Sequence, residues 1–167
     1  MSEARALPAP EAQTIGSRLP AVEKAERQGR ELILRCPPQG LRELCAALRD
    51  EHGFDYLADL AGADCPDLRI VIRLYSTARK DYVRISVPLD RQDPVAPTVS
   101  SLWPAAGWQE REAFDLFGIR FEGHPDLRRI LLPEDWEGHP LLREPNAPAP
   151  AERPPRARPQ AQTETSA

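Results

Sequence analysis

The chain is short of nearly everything that a cofactor-binding or secreted protein displays. Its three cysteines, Cys36, Cys45 and Cys65, are an odd number with no CxxC. A disulfide framework, a zinc ribbon or an iron–sulfur site would each need closer or more numerous thiols. The nine glycines never fall as GxG, so the dinucleotide fingerprint and the phosphate-cradling loop are both missing. No apolar run approaches the roughly 20 residues of a membrane span. Residues 1–10 carry charges and prolines but no apolar stretch of the kind that marks a secretory signal. Cations are outnumbered, 22 Lys and Arg against 26 Asp and Glu for a net charge of -4, which argues against a nucleic-acid partner. Only Lys24 and Lys80 are lysines. Arginine supplies every other cation, and its planar fork suits pairing with carboxylates better than diffuse solvation. These absences describe a cytosolic chain with no cofactor of its own.

What is present is enough for one soluble domain: 167 residues, 41% hydrophobic and 29% charged. Proline is abundant, with 19 in all, and it is unevenly placed. Residues 1–16 and 144–167 are built from Ala, Pro, Gln, Thr, Ser and Glu, and the latter segment has no Leu, Ile, Val or aromatic residue. Neither can bury enough apolar surface to offset the entropy of ordering, so both are expected to be disordered.

Between them the pattern predicts an α+β domain over 17–118: a small mixed or antiparallel sheet covered by helices. A helix is expected at 19–28, with Pro20 in its first turn and Gly29 as its stop. Alternation predicts a strand at 31–36. After Pro37-Pro38, the residues Leu41, Leu44, Cys45 and Leu48 recur at helical spacing and predict a helix over 39–50. Cys45 reads as a small core residue. A strand at 54–63 is suggested by a mixed signal. Strands 68–75 and 82–89 are plainer, with Leu68, Ile70, Ile72 and Leu74 on one face of the first and Val83, Ile85, Val87 and Leu89 on one face of the second. Joined by 76–81, they make an antiparallel hairpin with one buried and one polar face. Pro104 opens a helix over 105–117, which Gly118 ends. Residues 119–143 then lack a sustained period and are expected to form an extended docking arm, with 127–132 its only strand-like stretch. Long irregular segments of this kind tend to be functional.

Two features of the last third could carry function. The helix reads WQEREAFDLFG and crowds Glu110, Arg111, Glu112 and Asp115 together. Arg111 and Asp115 have i, i+4 spacing for an ion pair, and Glu112 with Asp115 has the spacing of a carboxylate pair. No nucleophile accompanies them, and a solvated helix face is an equal alternative. The tetrapeptide EGHP occurs at 122–125 and again at 137–140. His124 and His139 with nearby carboxylates would make a hydrolytic zinc site on paper. Their spacing fits no zincin pattern and each precedes a proline, which favours a turn ordered by imidazole-to-backbone bonds. Arg128-Arg129 and the run Glu134-Asp135-Trp136-Glu137 have the composition of a protein contact, or of a loop folded onto its own domain.

The stretch LWPAAGWQEREAFDLFGIRFEGHPDLRRILLPEDWEGHPL, at 102–141, closely resembles the signature of the NuoC family, the C subunits of the proton-pumping NADH:quinone oxidoreductase, respiratory complex I. The segment FDYLADL at 54–60 and the hairpin extend the resemblance to about 17–142. The family's last motif ordinarily continues as PLRKDYP, whereas here Pro140 is followed by LLREPN, so contacts made just beyond Leu142 do not carry over. The resemblance implies a stand-alone, non-redox structural subunit of the peripheral arm, on the cytoplasmic side of a bacterial inner membrane and attached only through the complex. It implies packing against the D subunit, which with the B subunit forms the quinone-reducing region. NADH, flavin, iron–sulfur clusters and quinone would reside on other subunits, and no residue here would be catalytic. Under this reading Glu110, Arg111, Glu112 and Asp115 hold the arm to the helix, His124 and His139 order its corners, and Arg128, Arg129, Asp135 and Trp136 anchor the interface. Arg129→Ala is then expected to spare the fold and weaken docking. The equivalent subunit of a hydrogenase or of a plastid or cyanobacterial dehydrogenase is the near alternative, and a metal-dependent hydrolase using His124 and His139 the remote one.

Overall fold

A computed structural model of the chain describes residue 19, residues 21–28 and residues 31–143. The segments 1–16 and 144–167, expected to be disordered, lie outside the described residues.

Alternation dictates the sheet. Strands β1 (Lys24–Gln28), β2 (Glu31–Arg35), β3 (Tyr56–Asp64), β4 (Leu68–Ser76) and β5 (Asp81–Pro88) form one five-stranded sheet in the order β1-β2-β5-β4-β3. Only β2 and β5 run parallel. The chain therefore leaves β2, crosses the sheet through helix α1 (Leu41–Asp50) to the far edge, and returns through the meander β3-β4-β5 to fill the gap. Leu41, Leu44, Cys45 and Leu48 of α1 enter the same core as Leu32 and Leu34 of β2, Ile70, Ile72 and Leu74 of β4, and Val83, Ile85 and Val87 of β5. Cys45 is fully buried there and its thiol is pushed up by that burial, while burial and then the charge of Glu23 push Cys36 up to about 12. Neither supplies a thiolate near neutral pH.

The opposite face is open. Register sets Tyr56, Tyr75 and Tyr82 side by side on three strands, with Tyr75 and Tyr82 rings 4.7 Å apart and the Arg73 guanidinium 4.5 Å from the Tyr82 ring.

The helix expected at 19–28 does not form: residues 24–28 are β1, paired antiparallel with β2 from Lys24↔Arg35 to Gln28↔Glu31. Ala, Glu, Lys, Arg and Gln favour a helix locally, but β2 would otherwise present an unpaired outer edge, and tertiary pairing overrides propensity. Four of the five β1 residues are exposed, as suits a strand that must discourage further pairing. The mixed signal at 54–63 also has a cause. The β3–β4 register slips between Leu57 and Asp59, and a bulge inserts one residue and reverses the period-two phase.

Beyond the sheet, β6 (Val95–Pro97), helix α2 (Ala106–Phe117) and β7 (Arg120–Glu122) complete the fold. β6 and β7 pair in parallel as a separate two-stranded sheet, so the strand in the last third lies at 120–122, whereas 127–132 has no regular structure. Its backbone is satisfied another way, described below. α2 packs chiefly on β3. Ala106 and Ala113 of α2, with Ile119 and Phe121 just beyond it, extend the core to the root of the arm.

Candidate functional site

Helix α2 inverts the usual arrangement. Glu110 and Asp115 are fully buried and Arg111 nearly so, while Trp108 is 63% exposed. A buried charge needs partners, and each of these finds them in the loops that wrap the helix.

Asp115 and Arg111, one turn apart, divide the backbone of 128–132 between them. Arg111 donates from Nε to the Arg128 carbonyl and from Nη2 to the Arg129 carbonyl, both at 3.1 Å. Asp115 Oδ2 accepts the backbone N–H groups of Ile130, Leu131 and Leu132 at 3.1, 2.8 and 2.9 Å. Three successive N–H groups converging on one oxygen form an anion nest. Asp115 Oδ1 accepts Arg129 Nη1 at 2.7 Å, and Arg129 Nη2 reaches on to the carbonyls of Trp136 and Gly138. Burial alone would raise the Asp115 carboxyl. The Leu132, Leu131 and Ile130 amides and then Arg129 outweigh it and hold the group at about 2. Three donors and two acceptors of an irregular segment are thus satisfied without its joining a sheet.

The two EGHP corners clasp opposite ends of α2. His124 Nδ1 accepts the Asp126 N–H at 3.0 Å, which leaves the proton on Nε2, 3.0 Å from the Gly107 carbonyl near the start of the helix. His139 Nδ1 lies 2.9 Å from the Asp115 carbonyl in the last turn. In both corners the glycine is left-handed, with φ of 81° at Gly123 and 76° at Gly138. Gly107 and Asp115 are eight residues apart along the helix, about 12 Å at 1.5 Å per residue. Imidazoles tied to these two ends cannot share one metal ion, whose nitrogen ligands lie about 2 Å away. Among the described residues no group of three or more His, Cys, Asp and Glu could hold a metal ion. The zinc hydrolase reading fails on this geometry.

Further fasteners complete the wrap. Glu110 accepts the Val99 N–H at 2.7 Å and the Thr98 hydroxyl at 2.6 Å, tying the 98–99 loop to the helix; burial raises its pKa against these bonds and the nearby His124. Gly118 ends α2 at φ 74°, and a Cβ there would lie 2.8 Å from the His139 ring. The Leu141 N–H donates to the Leu116 carbonyl at 3.0 Å. Where the described chain ends, Asp64 at the end of β3 accepts the Arg143 N–H at 2.7 Å and pairs with Arg91, which also donates to the Arg143 carbonyl.

Several sequence expectations change in role. Among the described residues Arg111 and Asp115 form no ion pair with each other; both serve the arm's backbone. Glu112 is exposed while Asp115 is buried, so they make no carboxylate pair, and the solvated-face alternative applies to Glu112 but not to its three charged neighbours. Arg129 turns inward and is one of the arm's own fasteners, whereas Arg128 stays exposed and pairs with Asp126 at 2.9 Å. Asp135 and Trp136 are exposed. The arm is accordingly folded back on its own helix. Sequence reasoning missed Thr98, which bonds Ser100 and Glu110, and the pair Asp64 and Arg91, 27 positions apart, which leaves no local signal. It also did not foresee that Trp108, Leu131 at 59% and Leu141 at 49% exposure would stand outward.

The buried charges of α2 are thus committed to the loops and the arm that wrap it, and no helix among the described residues is long and apolar enough to cross a membrane. The same fold occurs in a chain of the membrane-bound sulfane sulfur reductase (MBS), an archaeal respiratory membrane complex, at a TM-score of 0.64 and 24% identity over 75% of this chain and 76% of that one.

The chain belongs to the family described as "Respiratory-chain NADH dehydrogenase, 30 Kd subunit", which matches residues 34–150. The C subunit of the NADH-quinone oxidoreductase of Moorella thermoacetica is 47% identical over 111 residues, covering 65% of this chain and 75% of that protein. The corresponding C subunit from Salinispora arenicola is 42% identical over 131 residues, 72% of this chain but only 52% of the relative. A solved structure titled "Nqo5 of the trypsin-resistant fragment (1-134) in P63 form" shares the fold at a TM-score of 0.57 and 35% identity, covering 62% of this chain and 89% of that one. These relatives do not favour the hydrogenase-type alternative.

Proposed function

We propose that the chain is a non-redox structural and assembly subunit in the peripheral arm of NADH:quinone oxidoreductase. It supports electron transfer from NADH to quinone and the coupled proton translocation, with NADH, flavin, iron–sulfur clusters and quinone held by other subunits. Its neighbours in this reading are the D and B subunits, and it sits on the cytoplasmic side of the bacterial inner membrane, attached through the complex alone.

One observation carries the reading. The buried charged groups of α2, Glu110, Arg111 and Asp115, are all engaged with backbone or hydroxyl partners. Large apolar side chains nevertheless stand outward: Trp108 on α2, and Leu131, Trp136 and Leu141 on the folded arm. Large exposed side chains on an organised surface mark a protein contact, and tryptophan is a preferred anchor there.

Co-expression with the D subunit tests this. A Leu131→Ala/Trp136→Ala double variant should keep the chain's own melting transition yet recover far less of that partner, by about thirtyfold or more if Trp136 is a central anchor. Undiminished recovery of the partner, or quinone reduction by the chain alone, would overturn the proposal.

A further inference from the structure

Folding of the arm separates its charges by sign. Each arginine at the contact between helix and arm is taken: Arg111 by two carbonyls, Arg129 by Asp115 and two more carbonyls, Arg128 by Asp126. The carboxylates of the turn after Pro133 are not. Glu134, Asp135 and Glu137 are exposed, and none makes a hydrogen bond or ion pair among the described residues. They flank Trp136, which is 48% exposed.

The apolar groups outside this turn share its neighbourhood. Leu131 is held on Asp115 and Leu141 on Leu116, adjacent residues of α2, and Arg129 joins Asp115 to the Trp136 carbonyl. Leu131, Trp136 and Leu141 thus gather around one helical turn, bordered by three carboxylates with no partner of their own.

Resting on the docking reading above, we infer that the surface seated here belongs to a different protein and is basic, an apolar socket for Trp136 rimmed by lysine or arginine. Complementary rim charge steers and orients such a contact. Among the described residues, the open sheet face of a second copy of this chain offers no such basic rim. The arginines of its open sheet face are already matched, Arg73 and Arg84 by Glu31 and Arg69 by Asp67.

The test uses the full chain, tagged and co-expressed with the D subunit, with recovery of that partner measured at rising salt. Reversal in the triple variant Glu134→Lys/Asp135→Lys/Glu137→Lys should cut recovery at low salt by at least about tenfold. The neutral variant Glu134→Gln/Asp135→Asn/Glu137→Gln should bind with an intermediate yield and a shallower salt dependence. Asp59→Lys, a reversal on the open sheet face, should bind as the wild type does. Should the lysine triple retain the partner while Trp136→Ala loses it, the basic-partner inference falls and the docking reading survives. If Trp136→Ala also retains it, both fall. A self-associating chain that becomes monomeric in the lysine triple would identify a second copy as the occupant and overturn the inference. The neutral triple decides if the lysine triple proves misfolded.

Discussion

Between residues 31 and 89 strand ladders and the turns of α1 satisfy most of the backbone, and one face of the sheet is paved with Leu, Ile and Val. Between 123 and 143 there is no ladder at all. Arginine, aspartate and histidine side chains, with a few turn bonds, serve the backbone there, and among its described residues only Leu127 and Leu142 pack partly against the core. The first region is held by non-directional burial, which tolerates repacking so long as volume is kept. The second depends on individual directional bonds to charged groups, each of which leaves a buried partner stranded when removed. The domain should therefore yield gradually to substitution and the arm abruptly.

The largest effect that would sharpen this contrast is expected at Asp115. Asp115→Ala strands three amides and the Arg129 guanidinium, and breaking a buried pair on one side costs about 3–5 kcal/mol. Calorimetry with trypsin digestion should find the sheet domain still folded and the arm cut at Arg128 and Arg129. A single, undiminished transition with an uncut arm would erase the distinction between the two regions.

A smaller effect is expected at Gly118→Ala. Its left-handed conformation alone costs a side chain about 1–2 kcal/mol, and the new Cβ would press on His139 at 2.8 Å. Exposure of the His139 corner, read by hydrogen exchange at Leu141 and Leu142, should exceed any change at Asp126.

Acid should act in one direction on the arm. Asp115 is held at about 2 against an ordinary value of 3.8, so on acidification the unfolded chain takes up this proton first. The carboxylate's stabilisation is present above about pH 4 and fades as pH falls through about 2. Asp64, whose pKa is lowered against its burial by Arg91 and the Arg143 N–H, acts in the same sense; Glu110, raised by burial, acts in the opposite one. The melting difference between wild type and Asp115→Asn should shrink between pH 4 and pH 2. A constant difference would show that Asp115 acts by packing alone. The smallest effect is predicted for Arg128→Ala, which removes only an exposed pair with Asp126 and should leave melting unchanged.

How much could be read from the residues differs between the same two regions. The hairpin was legible because period-two alternation is a property of side chains alone, and 68–75 and 82–89 display it without interruption. β3 was blurred by its bulge, and β1 was hidden because helix-favouring residues were recruited to an unpaired edge. The EGHP corners were legible as turns, since Gly, His and Pro each announce a local conformation. The destinations of Arg111 and Asp115 were not. Their partners are backbone N–H and C=O groups of 128–132, which every residue carries and no composition reveals. Asp64 and Arg143, 79 positions apart, could not have been joined by any local pattern.

Asp115 orders residues 130–132 in the chain by itself, before any partner binds. Amide hydrogen exchange of the isolated chain tests it most directly. The Ile130, Leu131 and Leu132 amides should exchange slowly at neutral pH despite lying outside any helix or strand, and should become fast in Asp115→Asn. Fast exchange of all three in the wild type, with slow exchange only after the D subunit is added, would contradict the account.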